Sequence, residues 1–302
     1  MRFAIWPNLQ QPWDDVVAVV RHAEATGWDG AYVADHFMGD GSGFGAEETP
    51  THEATAALAG LTAATDRLRL GSLVLGATYR HPAVLAAWAS TVDHIGHGRL
   101  VLGVGAGWQE NEHDQYGIEL PPPGRRVERF DEYCQVLTGL LRQERTTVEG
   151  EHFQVRDALS EPKPVQDRLA LLIGAKGDRM LGLVARHADE WNLWSLPEAM
   201  AERAAVLARR CEAVGRDPAT VVRSTQALVM LTDDEDRARR FEEAVAPRAA
   251  VGGTVDRLAE VVAGWRDAGV DEVIVPDFVL GTGARRLEAY DAIIEGIAPS
   301  FR

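Results

Sequence analysis

Five short stretches of this chain combine residue types that can do chemistry with small residues that let a ligand approach the backbone. Asp35-His36-Phe37 sets a carboxylate beside an imidazole. Histidine titrates near neutrality, so His36 can give or relay a proton, or the pair can simply fix a loop by hydrogen bonding. Gly71-Ser72-Leu73-Val74-Leu75-Gly76 brackets an apolar run with glycines, which suggests a bulge or a close backbone approach. In Tyr79-Arg80-His81-Pro82, the proline suits the first turn of a helix, and His81 is either a proton donor or a cap. Gly103-Val104-Gly105-Ala106-Gly107-Trp108 places glycines at alternate positions. One face of that stretch is free of side chains, so a flat ring can lie against it, with Trp108 and Asn111 to wall and hydrogen-bond the ring. Gly174-Ala175-Lys176-Gly177 runs straight into a helical segment. Free N–H groups, the helix dipole and the Lys176 charge make that turn an anion site suited to a phosphate.

Rival readings of these stretches are weaker. The alternating glycines look like a dinucleotide fingerprint, but no acidic ribose-binding residue follows at the required distance after a strand. Lys176 lacks the spacing of a P-loop. Glu110, Glu112, His113 and Asp114 crowd together at no metal-ligand spacing, so no metal is expected. No nucleophile elbow or acyl-transfer triad order is present. Trp191 and Trp194 either wall a pocket or pack between elements, and Pro276-Asp277-Phe278 is placed to close a rim.

The elements that must position these residues alternate strand and helix. Strands are expected at Phe3–Pro7, Gly30–Ala34, Leu68–Leu75, Leu100–Val104, Ala170–Ile173, Glu190–Trp194, Val222–Leu231 and Glu272–Val275. Helices are expected at Trp13–Thr26, Glu53–Ala64, Ala83–Ile95, Arg125–Arg142, Asp178–Ala188, Pro197–Val214 and Ala284–Ala298, with helical segments between Asp233 and Ala268. Thr146–Pro164 reads as an insertion with a small hairpin. Short, β-branched, apolar strands are typical of buried parallel sheets. Eight such units in 302 residues predict an α/β fold, a (β/α)8 TIM barrel with insertions in the strand-end loops, built as one domain over residues 1–302. In such a barrel function collects where strands end, and the five stretches lie there. The loop Gly39–Pro50 and the insertion Gly117–Pro164 are expected to shape the substrate pocket.

Composition narrows the function classes. The chain is 46% hydrophobic and carries a net charge of −15, from 46 acidic and 31 basic residues. Such a surface repels nucleic acid and anionic membranes, so neither is an expected partner. No apolar run approaches the length of a membrane span, and no signal peptide is visible, which reads as cytoplasmic. The two cysteines, Cys134 and Cys211, are expected as buried free thiols.

Taken in order, these motifs resemble the luciferase-like monooxygenase superfamily, and within it the actinobacterial branch that depends on the deazaflavin coenzyme F420. The likeness runs over nearly the whole chain. It also includes Ala185-Arg186-His187-Ala188-Asp189-Glu190-Trp191-Asn192 and Ile274-Val275-Pro276-Asp277-Phe278. It implies that Asp35 and His36 flank the deazaflavin ring, with His36 as proton donor. It implies that Ser72-Leu73 forms a non-prolyl cis peptide behind the ring, that Gly107 and Asn111 contact the cofactor, and that Gly174, Ala175, Lys176 and Gly177 hold its phosphate. A homodimer acting on a small-molecule substrate is implied as well. Sugar-phosphate dehydrogenases of this branch carry a catalytic glutamate directly after the last glycine of the fourth-strand motif, where this chain has Trp108. The proton donor is therefore His36 first, with Glu110 and His113 behind it. The expected activity is hydride transfer between coenzyme F420 and a small organic substrate, as an F420H2-dependent reductase. The alternatives are an FMN-dependent monooxygenase or reductase, and a cofactor-binding barrel without catalysis.

Overall fold

The computed structural model describes residues 1–41 and 44–302. Ser42 and Gly43, inside the loop expected to shape the substrate pocket, lie outside the described residues. Eight parallel strands close into a barrel: β1 (Arg2–Trp6), β2 (Gly30–Val33), β3 (Arg69–Ser72), β4 (Leu100–Gly105), β5 (Ala170–Gly174), β6 (Glu190–Trp194), β7 (Val222–Gln226) and β8 (Glu272–Pro276). Each pairs with its sequence neighbours, and β1 pairs with β8 from Arg2 opposite Glu272 to Trp6 opposite Pro276. Pairing of β3 with β4, Leu70 opposite Leu100, completes the ring. Helices between successive strands cover the outside.

Alternation of side chains along each strand builds two cores. Phe3 and Ile5 of β1, Val273 and Val275 of β8, and Leu100 and Leu102 of β4 point outward into the large core shared with the helices. Ala4, Trp6, Tyr32, Val101, Leu172 and Ile274 belong to a separate apolar cluster that fills the barrel. The N-terminal end of the barrel is closed by polar groups. Tyr32 donates to Glu272 Oε2 at 2.8 Å, and Arg69 bridges Glu272 and Glu190. Burial raises the Glu190 carboxyl above its ordinary range, although Arg69 opposes the shift. With that end plugged, the cavity is lined by residues at the C-terminal strand ends.

Two expected strands are each split. Leu68–Leu75 is interrupted after Ser72, and a two-residue piece, Leu75–Gly76, resumes pairing with β4. The non-prolyl cis peptide is Leu73-Val74, one bond beyond the expected Ser72-Leu73. The ladder explains the offset: Leu73 N–H still donates to Val33 O at 2.7 Å, so β3 stays in register through that nitrogen. Val222–Leu231 leaves the barrel after Gln226. Leu228–Leu231 instead pairs in parallel with Ala250–Gly253, a strand that interrupts the helical segments expected between Asp233 and Ala268. The pairing partner changes where the polar stretch Arg223–Gln226 gives way to the apolar stretch Ala227–Leu231.

Thr146–Glu149 and Gln154–Ala158 form an antiparallel hairpin in the insertion. Cys134 and Cys211 are free and buried within helices. Among the described residues no helix is long and apolar enough to cross a membrane.

Candidate active site

A cavity of about 990 Å³ opens at the C-terminal mouth of the barrel. Its base and near wall come from β3, β4 and β5. Leu73 and Val74 form an apolar shelf beside Gly105, Gly107 and Gly174. The glycines are needed for this shape. A Cβ on Gly105 would lie 2.6 Å from Val74 Cγ2, and Gly107 has φ +90°, a conformation that side chains disfavour. Deeper, Asn192 of β6 and Gln226 of β7 face the cavity and exchange amide hydrogen bonds of 2.8 and 3.1 Å.

His36 follows β2 and lines the cavity. Its Nδ1 lies 2.9 Å from Oε1 of Glu112, a fully buried carboxylate. Glu112 also accepts the Phe37 N–H at 2.8 Å and the Tyr79 hydroxyl. Burial alone would raise the Glu112 carboxyl. The hydrogen bonds from His36, Tyr79 and Phe37 outweigh it and hold the group below its ordinary value. Burial, together with the bond to Glu112, pushes the Tyr79 phenol well above its ordinary value, so Tyr79 stays a donor. A charged carboxylate at Nδ1 keeps a proton on that nitrogen, which leaves Nε2 as the exchangeable position on the ring. Trp108 packs edge-on against His36 with ring centroids 5.4 Å apart.

Asp35 lines the same wall but is held as a structural anchor. It accepts from Gly76 N–H at 2.8 Å and from both terminal nitrogens of Arg80 at 2.6 and 3.0 Å. That bidentate pair ties β2 to the shelf of β3. His113 uses both ring nitrogens, with Gln109 O at 2.5 Å and Thr78 Oγ1 at 2.8 Å, and packs against Tyr79. It braces the turn and has no nitrogen to offer a ligand. His81 caps the helix Pro82–Ile95 through Ala83 N–H.

The other expected site residues divide. Leu73, Gly107, Gly174, Ala175 and Lys176 line the cavity. Gly177 instead lines an adjoining groove and caps the helix Asp178–His187. Ser72 is fully buried and its hydroxyl is taken up by the Gly103 backbone, at 2.8 Å to O and 3.0 Å from N, so it supports the shelf without facing the cavity. Asn111 points to the loop after β2, donating to Gly39 O at 3.0 Å and Glu47 at 2.9 Å. Glu110 is exposed on the short helix Glu110–Tyr116 and is not among the lining residues.

Gln109 was not anticipated as a site group, nor was Glu112 as the carboxylate at His36, while His113 was expected as a proton donor and braces the turn instead. Gln109, Glu112 and His113 are the buried residues of their turn, and their spacing of three and four is that of one helical face. The period groups these three residues, but the sequence does not mark which face of the helix turns inward. Arg126 and Arg248 also line the cavity. Among the described residues neither they nor Lys176 makes an ion pair, although acidic residues dominate the chain. A glycine-cleared apolar shelf, a proton-bearing imidazole at its edge and the unpaired Lys176 and Arg126 suit a flat ring with an anionic tail.

An eight-stranded parallel barrel with such a pocket at its C-terminal mouth is the architecture of cofactor-dependent barrel enzymes. Residues 1–267 match the luciferase-like monooxygenase family, and the chain belongs to it. Members of this family are oxidoreductases that use flavin-type cofactors, either F420 or FMN. The chain is 33% identical over 187 residues to an uncharacterized protein of Mycobacterium tuberculosis, a match covering 58% of this chain and 65% of that one. It is 32% identical over 232 residues to the pyrimidine monooxygenase RutA of Stutzerimonas stutzeri, covering 74% of this chain and 62% of that one. The matches thus span less than two thirds of either relative. Among solved structures, an F420-dependent secondary alcohol dehydrogenase in complex with an F420-acetone adduct superposes with a TM-score of 0.86 at 18% identity, covering 100% of this chain and 99% of that one. At that identity the likeness is one of fold.

Proposed function

We propose that this chain is a coenzyme F420-dependent oxidoreductase that reduces a small organic substrate, with His36 supplying the proton. The observation that carries this reading is the His36–Glu112 pair at the edge of the glycine-cleared shelf. When bound, the cofactor supplies two-electron hydride chemistry. Leu73 and Val74 would support one face of its ring, and Gly105, Gly107 and Gly174 leave room for it. Lys176 and Arg126 would meet its anionic tail. His36 Nε2 is the atom of this chain placed to protonate the substrate, and Glu112 and Tyr79 fix the ring for that task. Trp108 occupies the position where a second acid would serve an alcohol-oxidising sugar-phosphate enzyme, which favours reduction.

A second reading rests on the likeness to RutA, a monooxygenase. In it the same shelf and rim take FMN. Titrating the purified protein with F420 and with FMN, followed by absorbance, separates the two. Tight FMN binding with no F420 binding would overturn the first. Under the first, His36→Ala lowers turnover with reduced F420 far more than it weakens cofactor binding.

A further inference from the structure

The side of the cavity facing the shelf has a different character. Trp6 of β1, His36 after β2 and Trp194 of β6 present rings to it, together with Trp108 after β4 and Phe44 from the loop after β2. The rings touch one another: Phe44 to His36 at 5.4 Å, Phe44 to Trp108 at 6.0 Å, and Trp6 to Trp194 at 5.6 Å between centroids. Phe44 crosses the mouth, since its ring also meets Phe278, beyond β8, at 5.9 Å. Trp108 keeps 53% of its surface exposed beside the cavity. Arg248 comes from the connection between β7 and β8, across the barrel from β3 and β4. Its guanidinium lies 4.9 Å from the Phe44 ring and 5.6 Å from that of Trp194, with no ion pair among the described residues.

Resting on the function proposed above, we infer that this wall is the substrate subsite and that it selects a planar aromatic molecule carrying an anionic group. Arene faces gain from offset and edge contacts with rings at these spacings. A partly desolvated guanidinium already stacked on aromatics retains its in-plane N–H donors for a carboxylate or similar anion. Lys176 and Arg126 lie on the side of the shelf, where the cofactor's tail would run, so Arg248 is free for the substrate.

The probe is 2-naphthoate, titrated calorimetrically into the full chain with and without F420 or FMN. We expect saturable binding. Replacing the carboxylate (2-naphthylmethanol) or the arene (cyclohexanecarboxylate) should weaken it by about tenfold or more each. Phe44→Ala and Trp108→Ala should weaken naphthoate and naphthylmethanol alike. Arg248→Met should weaken naphthoate alone, Arg248→Lys should restore part of the loss, and cofactor affinity should not change. Equal binding of cyclohexanecarboxylate, no binding of naphthoate, displacement of the cofactor by naphthoate, or loss of cofactor affinity in Arg248→Met would each overturn the inference. Binding of naphthoate by a chain that takes neither cofactor would overturn the function reading and leave the subsite standing.

Discussion

Nδ1 of His36 lies 2.9 Å from Oε1 of Glu112, and the carboxylate is fully buried beneath the imidazole. His36 follows β2 and Glu112 sits on the short helix after β4, and the contact fixes both the ring's orientation and the identity of its free nitrogen. Replacing the carboxylate by an amide of the same shape tests this directly. Glu112→Gln should lower kcat by about tenfold to a hundredfold, because the proton donor is no longer oriented. The cofactor dissociation constant should change little. A variant whose kcat and pH profile match the parent's would show that Glu112 only fills space.

The same carboxylate makes a statement about acid. Its folded pKa is below the ordinary glutamate value of 4.5, since hydrogen bonds outweigh burial. Its contribution to stability is therefore fully present above pH 4.5 and fades as pH falls through the lower folded value. Urea melts of the parent at decreasing pH should lose stability in that window, and Glu112→Gln should show a shallower dependence. An identical slope in the two proteins would remove Glu112 from the account.

Asp35 and Arg80 form the other buried pair at the site, with Asp35 side-chain exposure of 1% and Arg80 of 16%. Removing one partner leaves the other charge desolvated. Arg80→Met should cost about 3 kcal/mol, somewhat eased by the remaining Gly76 N–H to Asp35. Adding Asp35→Asn should recover part of that loss. Chemical denaturation of both single variants and the double completes the cycle, and strict additivity would mean the pair is not coupled.

The fold was legible because short, largely apolar strands alternate with helices along the chain, although β7, Val222–Gln226, is mostly polar. At single-residue detail the same rule showed through, as when Val273 and Val275 face the helices while Ile274 faces the barrel. The site was legible where strand ends concentrate unusual residues, and Asp35, His36, Gly107 and Lys176 do line the cavity. It was not legible on the short helix after β4. Neighbouring helical residues point about 100° apart, so Glu110, Asn111 and Glu112 have unrelated environments, and only the starting turn decides which faces inward. Arg248 had no local signal at all. Its position depends on the path of a connection whose strand, Ala250–Gly253, pairs outside the barrel.

Glycine positions offer a stability test with opposite signs. A Cβ on Gly103 would sit 1.8 Å from the Ser72 carbonyl oxygen, a backbone atom with nowhere to move. Gly103→Ala should cost about 3 kcal/mol or more, or prevent soluble expression. Gly182 lies within the helix Asp178–His187, with nothing near its would-be Cβ and no positive φ. Gly182→Ala should add about 0.5–1 kcal/mol through helix propensity. Thermal melts of the two variants should move in opposite directions.

The unpaired cations make the last prediction. Lys176 and Arg126 face the cavity without a carboxylate partner among the described residues, in a chain whose net charge is −15. Cations left without a carboxylate partner at a cavity rim are available to an anionic ligand. Both are at least partly exposed to solvent, so each contributes modestly and is screened by salt. Lys176→Ala and Arg126→Ala should each weaken cofactor binding by about threefold to tenfold at low ionic strength, with the gap narrowing in high salt. The double variant should lose the salt dependence that the parent shows, while its unfolding midpoint stays within about 0.5 kcal/mol of the parent's. If both variants bind F420 and FMN as the parent does at every salt concentration, the anionic tail runs elsewhere. The adjoining groove lined by Gly177, Arg203 and Ser195 would then be the place to test by the same titration.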